Sequence, residues 1–131
     1  MTETTIVEET ERLMQSLAEG MTAPAEGECL VCFTQRMLVQ FGCDETLRFA
    51  TRYRDLRAPR ATALARRLAS KGGFCDCEIL LNGYTRPPHL RQVDEDGEER
   101  RTRVAVACAG VRTGSTQPCA GWVPQSRSRL W

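Results

Sequence analysis

The chain has 131 residues, 41% hydrophobic and 27% charged, with a net charge of +1. This length fits one domain, and the near-neutral balance gives no whole-molecule argument for a nucleic-acid or membrane partner. Seven cysteines, an odd count, argue against a complete disulfide framework.

The N-terminus has no basic-then-apolar leader, and no apolar run approaches the roughly 18 residues of a membrane span. A reducing cytoplasm is the expected location. There, clustered thiols are more often metal ligands or redox groups than disulfides.

The charge is arranged in blocks. Residues 1–28 carry seven acids against Arg12, and residues 29–73 are basic. Five acids fall within 94–99, and residues 100–131 hold six arginines and no acid. Internal pairing and solvated faces are the ordinary outcome of such blocks. A basic helical surface for a polyanion or an acidic protein is the sharper alternative. Lys71 is the only lysine among 18 basic residues, a bias that suits a GC-rich genome, so arginine richness itself carries little weight.

In chain order, the pattern predicts an acidic helix over 4–19, with Ile6, Leu13 and Leu17 on one face and Gly20 as its stop. Residues 21–28, with Pro24 and Gly27, read as a linker. A second helix follows Cys29-Leu-Val-Cys32 to about Phe41, burying Val31, Thr34, Met37, Leu38 and Phe41, and Gly42 ends it. A third is expected from Cys43-Asp44-Glu45, capped by Asp44 and burying Thr46, Phe49, Ala50, Tyr53 and Leu56. Pro59 separates it from a fourth over 60–70, where Leu64 and Leu68 lie one turn apart and Gly72-Gly73 supplies the cap.

Residues 74–81 alternate as a strand, with Cys75, Cys77, Ile79 and Leu81 on one side. Asn82-Gly83 marks a turn. Residues 90–93 and 98–106 can pair across Asp96-Gly97 as a hairpin. The expected fold class is α+β: a small, mostly helical, zinc-clipped domain with a short antiparallel sheet or hairpin toward the C-terminus. Its parts are an N-terminal acidic helix (1–20), a cysteine-rich zinc-binding core (29–83), a hairpin and Gly/Ser/Thr-rich extension packing on that core (84–123), and a disordered tail (124–131).

The chemistry concentrates in the cysteines. Structural zinc takes four N or S ligands in a tetrahedron. Cys29-x-x-Cys32 can bring two thiolates to one ion. Cys75-Asp-Cys77 is the weaker half, because a regular strand separates its sulfurs by about 6–7 Å and a shared ion requires a bend there. Cys29, Cys32, Cys75 and Cys77 are the expected metal ligands. Buried apolar thiols clustered by chance are the bland alternative.

Asp76 and Glu78 flank the site, and solvated residues facing away from it are the favoured reading. Cys43, Cys108 and Cys119 are candidates for a second metal or redox site, in which His89 could take part. Cys43 could instead complete the first site or be an ordinary cysteine, and Cys108 and Cys119 could be spectators or form a transient disulfide.

The strings Cys29-x-x-Cys32, Gly42-Cys43-Asp44 with Thr46-Leu47-Arg48, and Gly72-Gly73-Phe74-Cys75-Asp76-Cys77-Glu78-Ile79-Leu80-x-Asn82 resemble a family of small bacterial proteins known only as a domain of unknown function. The resemblance covers residues 29–83. It implies the five family cysteines at Cys29, Cys32, Cys43, Cys75 and Cys77, a suspected zinc site and no assigned activity. The stretch through Gly114–Cys119 resembles the longer actinobacterial members.

Three functions are compatible with these residues. The first is a non-enzymatic zinc-binding protein whose structural site supports a protein–protein interaction or a regulatory role. The second is a nucleic-acid-binding regulator using Arg-rich helices, with Arg48, Arg52, Arg66 and Arg67 as partner contacts. The third is a thiol redox protein, since Cys-x-x-Cys at a helix start is also a dithiol geometry. No strand precedes that motif as a thioredoxin-like unit requires, and no His–carboxylate pair stands beside a nucleophile.

Overall fold

The computed structural model describes residues 3–90 and 107–125. Among the described residues, five helices and one short antiparallel sheet make a small α+β domain, in the order α1 (Glu3–Met21), α2 (Leu30–Phe41), α3 (Arg48–Arg57), α4 (Leu64–Ser70), the single turn α5 (Asp76–Glu78), β1 (Tyr84–Thr85) and β2 (Val123–Pro124). A π-turn (Ile79–Gly83) joins α5 to β1, and a 3-10 turn (Pro88–Leu90) follows it. Tyr84 pairs with Pro124 and Thr85 with Val123.

The core lies where α2 meets α3 and the α5–π-turn segment. Leu30, Val31, Phe33 and Met37 of α2 are buried against Phe49 and Tyr53 of α3, Leu64 and Leu68 of α4, and Ile79. Each fully buried large side chain contributes about 2 kcal/mol of transfer free energy. Phe33 stands edge-on to Phe49, with ring centroids 6.4 Å apart, and is tilted against Tyr53 at 5.9 Å. Phe41, expected inside, is exposed and leans on Phe49 from the edge of the core. Thr34 is fully buried, and its hydroxyl has no partner among the described residues.

α1 follows its predicted span but not its predicted packing. Leu13 and Leu17 are 61% and 60% exposed. The helix is anchored at its C-terminal end, where the Arg52 guanidinium donates to the carbonyls of Glu19 and Thr22.

The third helix starts later than expected, at Arg48. Asp44 does not cap it. Its carboxylate instead accepts from the Thr46 N–H and hydroxyl, closing a local turn before the helix. α4 is also shorter than expected, because residues 58–63 form turns after α3, with Ala61 N–H donating to the Ala58 carbonyl.

The expected strand over 74–81 is overturned. Gly72 adopts φ +84°, the Gly73 N–H donates to Leu68 O at 2.8 Å and the Gly72 N–H to Ala69 O at 2.9 Å. This double bond is the Schellman stop of α4. It leaves Gly73 so close to Ile79 and the Leu68 carbonyl that a Cβ would sit 3.2 Å from each. The chain then turns helical, and the burial follows a helical period. Asp76, Ile79 and Gly83 go inside, whereas Phe74 is 66% and Leu81 67% exposed. Alternation in the sequence was a poor guide because the segment buries a carboxylate.

Residues 107–125 return across the core. The Val111 N–H donates to Gly27 O at 2.9 Å, and the Tyr53 hydroxyl reaches the carbonyls of both Glu28 and Ser115. Pro124 and Gln125, expected at the start of a free tail, belong to this packing: Gln125 N–H donates to Gly83 O, and its side-chain amide reaches the carbonyls of Leu80, Leu81 and Tyr84. The predicted hairpin, apart from Leu90, and residues 126–131 lie outside the described residues.

Candidate metal centres

All seven cysteines are free thiols, and they fall into two groups. Cys29, Cys32, Cys108 and Cys119 have sulfurs within 4.8 Å of one another, as do Cys43, Cys75 and Cys77. The expected set of Cys29, Cys32, Cys75 and Cys77 is therefore not the one the fold assembles. The reason lies in two segments, one read as a strand and the other expected on the core without specified contacts. Residues 107–125 bring Cys108 and Cys119 to the start of α2, and the 75–77 turn docks on the loop before α3.

The first group is built on the N-terminus of α2. Cys29 is the N-cap, extended at φ −79° and ψ 161°, and its sulfur accepts from the Cys32 N–H at 3.3 Å. The Cys29 N–H in turn donates to the Cys108 sulfur at 3.3 Å. Gly110 N–H donates to Cys108 and Gly121 N–H to Cys119, each at 3.4 Å. The Trp122 indole N–H donates to the Cys32 sulfur at 3.2 Å. Each of the four sulfurs thus accepts an N–H.

Spacing also suits one ion. A tetrahedral site with zinc–sulfur bonds of about 2.3 Å has sulfurs about 3.8 Å apart, and Cys32 and Cys119 are separated by 3.8 Å. Hydrogen bonding from Cys32 draws the Cys29 thiol down to about 5, against the effect of burial. The same interaction raises Cys32. Burial raises Cys108.

The Trp122 indole is itself held by Arg86. The guanidinium lies 3.7 Å from the ring centroid and donates to Gly121 O at 2.9 Å. A Cβ on Gly121 would meet that guanidinium at 2.8 Å, so a larger residue there would make the Arg86 side chain shift.

The second group is positioned by Asp76. This residue, expected to be solvated, is fully buried. Its carboxylate accepts from the Phe49 N–H at 3.0 Å and the Ala50 N–H at 3.1 Å, two donors that the first turn of α3 leaves without an intrahelical partner. Its own N–H donates to Thr46 O at 3.0 Å. Burial pushes the Asp76 carboxyl up, and the N–H groups of Phe49 and Ala50 oppose that. The clamp presses Cys75 and Cys77 against Cys43.

Cys75 and Cys77 sulfurs are 3.2 Å apart, so the departure from a regular strand that a shared ion requires is present. Cys43 is exposed, Cys77 half-buried and Cys75 buried. Cys43 accepts from the Glu45 N–H at 3.4 Å. Burial works against its thiolate, but the N–H groups of Cys77 and Glu45 bring the thiol below its ordinary value. Interactions with Cys75 and then Cys43 push Cys77 up to about 12, and burial raises Cys75.

His89 is exposed on the 3-10 turn and belongs to neither group. The arginines proposed as partner contacts are mostly engaged within the chain. Arg52 binds the end of α1. Arg48 donates to Gly42 O, lies over the Phe49 ring and approaches Asp44 at 3.7 Å. Arg67 donates to the Thr116 hydroxyl. Arg66 is exposed on α4. Among the described residues no helix is long and apolar enough to cross a membrane.

No curated protein and no solved structure matches the chain. Residues 30–82, under half of the chain, match a family described as a protein of unknown function (DUF2695). That span contains Cys43, Cys75 and Cys77 but only Cys32 of the first group, so the first group is completed by residues on either side of the family match.

Proposed function

We propose that this is a small non-enzymatic zinc-binding protein of the cytoplasm. In this reading Cys29, Cys32, Cys108 and Cys119 hold one structural zinc ion that ties the returning C-terminal segment to α2. The observation that carries it is the set of four mutually close sulfurs, each accepting an N–H. Four protein thiolates leave no coordination position for a substrate or a reactive water. The ion's chemistry here is therefore cross-linking: it joins residues 29–32 to residues 108–119, which sequence separates by more than 70 positions.

A role in protein–protein interaction or regulation is supported by α1. Val7, Met14 and Met21 repeat at seven-residue intervals, Leu13 and Leu17 lie beside them, and all five are exposed. Three of the four arginines that the nucleic-acid reading names, Arg48, Arg52 and Arg67, are held by partners within the chain, which gives that reading less support.

Zinc content and thermal melting of the purified protein, with and without a chelator, test the proposal. Bound zinc whose removal exposes the thiols and loosens the fold supports it. A metal-free protein with the same stability in both conditions overturns it.

A further inference from the structure

Cys43, Cys75 and Cys77 form a site of a different kind. They lie on the opposite ends of two short connections, the loop between α2 and α3 and the turn after α4, and they are joined by the Asp76 clamp. Their three sulfurs are within 4.8 Å of one another, with no fourth Cys, His, Asp or Glu ligand atom of the described residues among them. All seven cysteines and the single histidine of the chain are among those described residues. The first group uses the remaining four cysteines, and His89 stands apart. No further sulfur or imidazole of this chain joins the three.

The site is also open to solvent. Cys43 is exposed and Cys77 half-buried, whereas three of the four sulfurs of the first group belong to buried residues. Phe74, next to Cys75, is largely exposed, and so is Phe41, two residues before Cys43. Asp44 and Glu45, which follow Cys43, are exposed as well.

We infer that Cys43, Cys75 and Cys77 are a second zinc centre, bound through three thiolates, whose fourth position is taken by an exchangeable thiolate from outside the chain. Binding releases the protons of the three thiols and leaves the three-thiolate zinc at a net charge of −1; the external thiol releases its own proton as it binds, which brings the filled centre to −2. The Cys75–Cys77 separation widens from 3.2 Å toward the roughly 3.8 Å of a tetrahedral edge, which side-chain rotation at the half-buried Cys77 allows. An open position is the arrangement of zinc sites that exchange ligands, as a closed set of four is that of structural ones. The inference uses none of the residues assigned to the structural ion, so the two stand or fall separately.

Cobalt is the probe, because its visible spectrum reports the number of thiolate ligands and the geometry. Full-length protein and its C43S variant are loaded with Co2+ and titrated with 2-mercaptoethanol. Cys43 is exposed, so C43S keeps its fold, checked by circular dichroism. The wild type should take two equivalents and C43S one. The difference spectrum should gain one thiolate-to-cobalt charge-transfer increment and saturate at one thiol per protein, and C43S should not respond. Native mass spectrometry of the zinc-loaded wild type should show a thiol adduct only on the two-zinc species. A wild type that takes one equivalent, a C43S protein that still takes two, or a two-cobalt spectrum indifferent to added thiol overturns the inference. One equivalent retained by C43S leaves the structural site standing in every case.

Discussion

The Asp76 carboxylate lies 3.0 Å from the backbone N–H of Phe49, 27 residues earlier in the chain, at the first turn of α3. One buried side chain therefore caps a helix and fixes the turn that carries Cys75 and Cys77. Replacing it with alanine leaves the N–H groups of Phe49 and Ala50 buried without partners. D76A should lose about 3 kcal/mol of stability, and D76N, which keeps one acceptor, about half of that. Chemical denaturation with both variants in parallel checks this, and an unchanged midpoint for D76A would show that the cap contributes nothing.

Cys119 joins a C-terminal loop to α2, so its removal should act far from position 119. C119S should lose the structural ion, and hydrogen exchange should rise across residues 107–125 and at the start of α2, with α4 little changed. In the wild type, chelation should lower the melting temperature by on the order of 15 °C, corresponding to about 4 kcal/mol of ligand stabilisation. Acid should act in the same direction, since protons compete with the ion for thiolates. Uniform exchange across the chain in C119S would contradict the cross-linking role.

Trp122 donates to a sulfur of the same group and stacks on Arg86. Removing the indole N–H with W122F should weaken zinc binding about 10–100-fold, the usual effect of losing a group that supports a ligand. In a W131F background, Trp122 emission should change on zinc loading. Competition with a chromophoric chelator measures the first effect, and equal affinities would place Trp122 in the core alone.

Thr34 offers a test with the opposite sign. Its hydroxyl is buried with no partner among the described residues. T34V should stabilise the protein by about 1 kcal/mol and raise the melting temperature by a few degrees. A lower melting temperature would mean that the hydroxyl has a partner.

Much of the fold was legible where apolar period and glycine stops agreed. α2 was bounded by Cys29 and Gly42, α4 was stopped by Gly72-Gly73, and Phe49, Ala50 and Tyr53 were correctly placed on the inner face of α3. The cysteines were recognisable as candidate ligands, but their grouping was not. Cys29 and Cys32 find Cys108 and Cys119 through a loop of low periodicity, and contacts of that span leave no local trace. The 74–81 segment misled because alternation is the signal of a strand with one buried face, whereas here an aspartate is the buried residue. A Gly-Gly stop followed by an aspartate ahead of an apolar run was the available hint that the chain turned rather than extended. α1 was found by its period, but periodicity says only that a face is apolar, not that this chain covers it.

The most direct test of the structural centre is a crystal structure of the zinc-loaded protein with anomalous data collected on both sides of the zinc edge. A zinc peak should lie among the sulfurs of Cys29, Cys32, Cys108 and Cys119, at about 2.3 Å from each. A peak that joins Cys29 and Cys32 to Cys75 and Cys77, or no peak at the start of α2, would contradict the account.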